Sequence, residues 1–187
     1  MSDCSSMFTS CDSLQTINGP LFGPNSKVEN VSGMFMSCSK LKTIPENMFS
    51  GLKSLKYASS VFCDCASLIG NIDGMFNGCI HLTNALFAFN TCTSLKPPTR
   101  DMFKGCVDLE NISNAFQNCT SENFTSIPED MFSDCDNMKD ITWAFDGCTN
   151  LTHTPNNLFG NCKRIVQSDL VFSRCNNLDE ESMKLAE

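Results

Sequence analysis

Cysteine and histidine are the side chains of this sequence with the widest capacity for chemistry. The 187 residues include thirteen Cys but only two His, His81 and His153. Thiols can pair as disulfides, bind zinc or act as nucleophiles, and their spacing helps to separate these roles. Eleven of the cysteines follow a Phe by three residues: Cys11, Cys38, Cys65, Cys79, Cys92, Cys106, Cys119, Cys135, Cys148, Cys162 and Cys175.

This spacing favours buried free thiols over disulfides and over a metal site. The count is odd, and side chains in one column of a parallel stack point the same way, which suits van der Waals contact better than bridging. Zinc needs a close pair with a matching pair elsewhere, whereas only Cys63 and Cys65 are close-set, and we interpret Cys63 as an accidental neighbour. We therefore expect no metal, no cofactor, and a ladder of thiols that pack as small apolar groups.

The histidines do not indicate catalysis. His81 and His153 stand at repeat positions that hold Ser, Asp, Asn or Lys elsewhere, which are side chains typical of a solvated surface. The sequence contains no P-loop, dinucleotide-binding or G-x-S-x-G motif, and its carboxylates have no repeated paired spacing. We predict no catalytic residues and no enzymatic activity.

Phenylalanine sets the repeat that positions the cysteines. Thirteen of the fifteen Phe residues follow one another at gaps that mostly alternate between 13 and 14, which gives a period of 27, and two extra residues lie between Cys119 and Phe124. Such a period is typical of a solenoid, in which each turn buries its apolar face on its neighbours. The thirteen are Phe8, Phe22, Phe35, Phe49, Phe62, Phe76, Phe89, Phe103, Phe116, Phe132, Phe145, Phe159 and Phe172.

Two unlike halves make up each unit and predict its secondary structure. Segments such as "KVENVSGMF" contain no proline and favour short strands that stack in parallel. Segments such as "PENMF" place N-cap types before Phe, at Asn47, Asp101, Asp130 and Asn157. We predict a repeat solenoid of short parallel β-strands and short helical or 3-10 turns, with about 6.5 turns. It forms a single domain over residues 1–187, with repeats over about 4–178 and an acidic, helix-prone tail over 179–187.

Charge and hydropathy narrow the choice of partners. The net charge is −8 and no basic cluster is present, which argues against nucleic acid. No apolar run is long enough to cross a bilayer, so we expect no membrane insertion. No signal peptide is recognisable, so an intracellular location stays open.

The motif L-x-x-I-P-x-x-x-F-x-x-L-x-x-L, read from "LKTIPENMFSGLKSLKYA", resembles a leucine-rich repeat. The cysteine-containing versions, "MFMSCSKLKTIP" and "AFDGCTNLTHTP", resemble the BspA-like leucine-rich repeats of bacterial surface proteins, with relatives in some protists and on phage particles. The resemblance implies a curved, leucine-rich-repeat-like solenoid that binds other molecules at a cell or virion surface.

Two columns of the repeat are candidates for a binding face. Two residues before each first-half Phe, the residue type varies and includes Phe87, Trp143 and Leu170, which could be apolar anchors if they face outwards and core fillers if they face inwards. Five residues before the same Phe, a mostly polar column could bind a ligand or could tie one turn to the next. From that column we select Tyr57, Asn84, Asn111 and Asp140.

The sequence favours a non-enzymatic binding or adhesion module that engages a protein or glycan through one face. The alternative is a structural or decoration subunit of a larger assembly such as a phage particle. Because nothing polar caps the first turn, that subunit could stack with another chain at its N-terminal turn.

Overall fold

The fold is a stack of coils joined by parallel bridges. The structure, a computed structural model, describes residues 1–23 and 25–183. We name the coils by the residues at which they begin and call those residues the bridge column, since each forms a parallel bridge with the next. Coils 1 to 7 begin at Asp3, Asn30, Tyr57, Asn84, Asn111, Asp140 and Gln167.

Backbone hydrogen bonds fix the register between coils. In coil 4, the N–H groups of Ala85, Phe87, Phe89 and Thr91 donate to carbonyl oxygens of coil 5, with N···O distances of 2.8 to 3.0 Å. The same four donors recur in each of coils 1, 2, 3, 5 and 6. Alternate residues of one coil are therefore bonded to the next, so a shift of a single residue would disrupt the whole set.

The expected strands are reduced to single bridge residues. In coils 1, 2, 4, 5 and 6 the chain turns immediately after the bridge, where the bridge side chain accepts a backbone N–H two residues further on. Asn84 Oδ1 accepts the N–H of Leu86 at 2.9 Å, and Asn111 Oδ1 accepts that of Ser113 at 2.8 Å. Pairing is parallel, as predicted, but side-chain-capped turns keep each paired segment short.

Left-handed turns replace the expected helical turns. Asn47 and Asp101, which we expected to cap helices, have φ angles of 53° and 54°. Asp130 and Asn157 also lie in turns, but without a left-handed φ angle. Within residues 1–23 and 25–183 there is one helix, α1, Glu180–Met183.

That helix lies in the predicted acidic tail, whose residues 184–187 are outside the described part. Its first turn is capped by Asp179 and is held to coil 6 through His153 and the backbone of Thr154. Asp179 Oδ1 accepts the N–H of Ser182 at 2.7 Å and its Oδ2 lies 3.0 Å from His153 Nδ1, while Ser182 Oγ accepts the N–H of Thr154 at 2.8 Å. The buried residues of this contact, Thr154 and Ser182, are polar. In earlier coils the position equivalent to Thr154 is occupied by Ile44 and Ile127.

Stacked phenylalanine rings form two continuous rows through the core. Centroids of Phe35, Phe62 and Phe89 follow at 5.4 Å each, with interplanar angles of 6° and 21°. The rings of the second row, such as Phe76 and Phe103, are 5.5 Å apart at 10°. Fully buried rings at this spacing combine a large apolar area with favourable offset contact. The 27-residue phenylalanine period is confirmed as a set of interior rows.

The cysteine thiols contribute hydrogen bonds as well as packing. Cys65 Sγ lies 3.1 Å from the carbonyl oxygen of Phe35, and Cys92 Sγ lies 3.1 Å from that of Phe62. Leu52 holds the equivalent place in its half-coil without a donor. Our expectation that these thiols are merely small apolar groups was incomplete. The thiols that contact the carbonyl oxygen of the equivalent Phe in the preceding coil are those of Cys38, Cys65, Cys79, Cys92, Cys106, Cys119, Cys148, Cys162 and Cys175.

The position of a ring in its row should determine its contribution to stability. Phe89→Ala removes a fully buried ring with two stacked neighbours and should lower the free energy of unfolding by about 3–5 kcal/mol. Phe8→Ala, the matched control at a partly buried ring, should lower it by about 1–2 kcal/mol. Urea unfolding followed by circular dichroism measures both, and equal losses would contradict the row.

Candidate binding face

The residues three positions after the bridge column share one unusual backbone conformation. Their φ angles lie between 54° and 60°, in the left-handed region that only glycine and, less readily, asparagine adopt at low cost. We call them the left-handed column and, together with the bridge column, the front face. The left-handed column contains Ser6, Gly33, Ser60, Phe87, Asn114, Trp143 and Leu170.

Three members of the left-handed column are large and apolar. Trp143 is 41% exposed and Leu170 is 56% exposed, whereas Phe87 is half-buried. A bulky side chain at such a φ costs roughly 1–2 kcal/mol relative to glycine. These residues are therefore neither core fillers nor the types that the backbone favours.

A second left-handed position in the same half-coil provides a comparison. It lies four residues further along and carries Ser10, Ser37, Asp64, Thr91, Asn118, Gly147 and Arg174. None of these is apolar. Large apolar side chains thus accompany a left-handed backbone only in the first column, among the residues that the structure describes.

The selected polar residues of the bridge column are mostly engaged in holding the coils. Asn84, Asn111 and Asp140 each accept a backbone N–H two residues on, at 2.8 to 2.9 Å. Asn111 Nδ2 also reaches Asp140 Oδ2 at 3.4 Å. Tyr57 has no acceptor suited to this turn and is 47% exposed. Asn84, Asn111 and Asp140 are therefore hydrogen-bonded within the protein, and their part in binding a ligand stays a prediction.

A polar chain beside the left-handed column was not anticipated from the sequence. Asn90 Nδ2 donates to Gln117 Oε1 at 2.8 Å, and Gln117 Nε2 donates to Asp146 Oδ2 at 2.8 Å. Arg174 Nε donates to Asp146 Oδ1 at 2.8 Å. Burial raises the pKa of Asp146, but hydrogen bonds from Arg174 and Gln117 outweigh it, so the pKa is lowered overall. The sequence does indicate this chain, because the same repeat position carries a polar residue in three consecutive coils, at Asn90, Gln117 and Asp146.

The cysteines are placed as protected thiols. All thirteen are free. Burial raises the pKa values of Cys65 and Cys79 to about 12 and that of Cys92 well above its ordinary value. Such thiols are poor nucleophiles at neutral pH.

Exposed histidines pair with aspartates. His81 Nδ1 lies 2.9 Å from Asp108 Oδ2, and His153 Nδ1 lies 3.0 Å from Asp179 Oδ2. Across residues 1–23 and 25–183, no three His, Cys, Asp or Glu side chains are grouped so as to hold a metal ion. In the same part of the chain, no helix has the length and apolar character needed to cross a bilayer.

Two cavities lie away from the front face. One of about 550 Å³ is at coil 1, where Met7, Leu21 and Phe22 contribute to an apolar lining. The other, of about 450 Å³, lies where Gly70 and Pro97 interrupt the line of bridges on the opposite half of the coils. That interruption follows from the lack of a backbone N–H at proline.

Solved structures similar to this chain include leucine-rich repeat proteins. A leucine-rich repeat protein of T. pallidum is 18% identical over 92% of this chain and 81% of that one, with a TM-score of 0.29. One from Bacteroides ovatus is 18% identical over 94% and 74%, with a TM-score of 0.20. TLR13, solved in complex with ssRNA13, is 17% identical over 88% and 27%, with a TM-score of 0.26.

The chain matches no protein-family model and no curated protein sequence. The assignment of a repeat solenoid rests on the chain's own geometry, in which residues 27 apart form parallel bridges and stacked rings. The TM-scores are too low for the neighbours to add to that assignment.

Alkaline pH should unfold the protein because of its thiols. A thiol whose pKa is raised by folding stabilises the native state below pH 9, and this contribution is lost as pH rises from about 9 towards about 12. Each buried thiol should lower the free energy of unfolding by about 1.4 kcal/mol for each pH unit above 9. Urea unfolding in reductant at pH 8, 9 and 10 measures the slope. Cys92→Ser, which cannot ionise there, should reduce the slope by one thiol's share, and a flat profile in the parent would contradict the assignment.

Trp143 should contribute little to folding. Trp143→Asn introduces the type that Asn114 already supplies in the same column, so relief of left-handed strain offsets the lost contacts. We expect the free energy of unfolding to change by less than about 1.5 kcal/mol, well below the cost of truncating a core aromatic residue. A loss of about 3 kcal/mol or more, which is the lower limit for truncating core aromatic residues, would assign Trp143 to the core.

Proposed function

We propose that this protein is a non-enzymatic binding module that engages a protein or glycan through its front face. The observation that carries this proposal is the placement of Phe87, Trp143 and Leu170 at left-handed positions. Local strain is retained at functional sites when the rest of the fold can compensate for it. The regular core supplies that compensation.

The composition of the front face is consistent with recognition. Trp and Tyr are enriched among the residues that dominate binding energy, and Trp143 and Tyr57 are both about half exposed. Polar side chains of the bridge column surround them and are held in fixed positions by their own turns. A rigid array of this kind loses little conformational entropy on binding.

The BspA-like motif adds a location to the proposal. It supports a role in adhesion at a cell or virion surface, with a protein or glycan of another cell or of its surroundings as the ligand. No described residue group indicates a cofactor or metal in this role.

A second candidate is a structural or decoration subunit of an assembly such as a phage particle. It takes its support from coil 1, where Phe8 and Phe22 are only partly buried beside the cavity of about 550 Å³. Another chain stacked on that coil would cover these rings.

Loss of binding without loss of folding is the test of the front face. Arrays of purified proteins and glycans are probed with the parent and with a variant carrying Tyr57→Asn, Phe87→Asn and Trp143→Asn. We expect ligands of the parent to lose at least about tenfold in affinity. The matched control carries Ile69→Asn and Val107→Asn, two exposed apolar residues outside the front face, and should bind as the parent does.

Equal binding by the parent and the front-face variant would contradict the proposal. Absence of any ligand, together with self-association of the purified chain in light scattering, would favour the structural candidate instead.

A further inference from the structure

The hydrogen-bonding groups of the front face are largely committed within the protein. Asn84 Oδ1 accepts both the N–H of Leu86 and the hydroxyl of Ser59, each at 2.9 Å. Asn111 Oδ1 accepts the N–H and the hydroxyl of Ser113 at 2.8 and 2.7 Å. A glycan is held by polar side chains that are free to exchange hydrogen bonds with its hydroxyls, and these oxygens are already doubly occupied.

The polar chain next to the left-handed column is committed in the same way. Gln117 Oε1 accepts from Asn90 at 2.8 Å and from Asn114 at 3.1 Å. Asp146 accepts from both Gln117 and Arg174. What this surface leaves available to a ligand is therefore mainly apolar area, and that area is concentrated at Trp143.

Coils 6 and 7 carry the two exposed apolar side chains of the left-handed column, Trp143 at 41% and Leu170 at 56% exposure. Val166, which precedes the bridge residue Gln167 and lies outside the front face as defined, is 80% exposed. Trp143 and Leu170 occupy consecutive places in the left-handed column, so they lie one coil apart. Together they can receive an apolar side chain of a partner.

Acidic groups flank the same position. Asp140 lies three residues before Trp143, and Asp169 immediately precedes Leu170 and accepts the N–H of Trp143 through its carbonyl at 3.0 Å. Two basic groups of this region are ion-paired, since Lys139 Nζ pairs with Glu110 at 2.7 Å and Arg174 pairs with Asp146. Within the described residues, Asp140 and Asp169 form no ion pair. The apolar area thus lies in a locally negative surrounding.

The distribution of charge along the stack extends this asymmetry. Residues 122–183 contain eleven Asp and Glu against four Lys and Arg, whereas residues 1–60 contain four against five. An excess of charge of one sign at one end of the stack attracts a partner of the opposite charge and raises its rate of association.

We propose that the ligand of the front face is a basic protein segment that places an apolar side chain against Trp143 and Leu170, between Asp140 and Asp169. The proposal rests on the proposed binding function and names its partner class. Apolar contact supplies affinity, and the negative charges of Asp140 and Asp169, which no ion pair neutralises, select lysine or arginine on either side of the anchor.

Trp143 is the only tryptophan of the chain, so its fluorescence reports on this position. Three probes are titrated: a synthetic peptide of alternating Lys and Leu, one of the same length with alternating Glu and Leu, and a neutral hexasaccharide of N-acetylglucosamine. We expect only the Lys-Leu peptide to shift the emission to shorter wavelength. Its affinity should fall by about tenfold between low and moderate salt because exposed charges are screened.

Paired variants separate the local site from general charge attraction. Asp169→Asn should lower the affinity for the Lys-Leu peptide by about 2- to 5-fold, and Leu170→Asn should lower it by about 5- to 10-fold. Asp136→Asn, which makes the same charge change at an exposed site in the other half of coil 5, should have less than about a twofold effect.

Three results would overturn the basic-segment proposal. The first is an emission shift produced by the hexasaccharide or by the Glu-Leu peptide in place of the Lys-Leu peptide. The second is an equal loss of affinity for the Lys-Leu peptide in Asp169→Asn and Asp136→Asn. A lack of response to all three probes would also overturn it, while the array comparison with the front-face variant would still decide separately whether this face binds anything.

Discussion

The register of 27 residues between neighbouring coils is the constraint on which the rest of the structure depends. Four backbone N–H groups per coil donate to the next coil, and this pairing brings equivalent side chains into line. The phenylalanine rows, the thiols bonded to phenylalanine carbonyls and the bridge column are all consequences of that alignment. In a stack of this kind stability is approximately the sum of nearest-neighbour terms, so it accumulates coil by coil.

Because the register is regular, the positions that hold the coils together are distinct from those that are exposed at the surface. Bonds and rings inside the stack hold the coils, so a side chain at a left-handed surface position can change without altering the core. Gly33 and Asn114 meet the backbone's requirement at low cost, whereas Trp143 and Leu170 meet it at a higher cost. The difference between these pairs is the physical basis for assigning binding to the front face.

The sequence was sufficient for the interior because its signal is periodic. Phe62 and Phe89, or Cys65 and Cys92, are 27 residues apart and lie in adjacent layers. It was insufficient for the turns, because Asn47 and Asp101 suit both a helix N-cap and a left-handed turn. The pairing of Asp146 with Arg174 was also missed, since such contacts depend on side-chain direction within the stack and not on residue type. The apolar residues of the proposed binding face were selected because the residue type at their repeat position varies from coil to coil. The left-handed φ angles that distinguish them are visible only in the structure.

Proton contacts between phenylalanine rings test the 27-residue register most directly. In a sample labelled only at Phe, nuclear Overhauser effects should connect Phe89 to Phe62 and to Phe116, whose centroids lie 5.4 and 5.5 Å away, and should not connect Phe62 directly to Phe116. Contacts from Phe89 to rings at other sequence separations, in place of these two, would contradict the stacked-coil account.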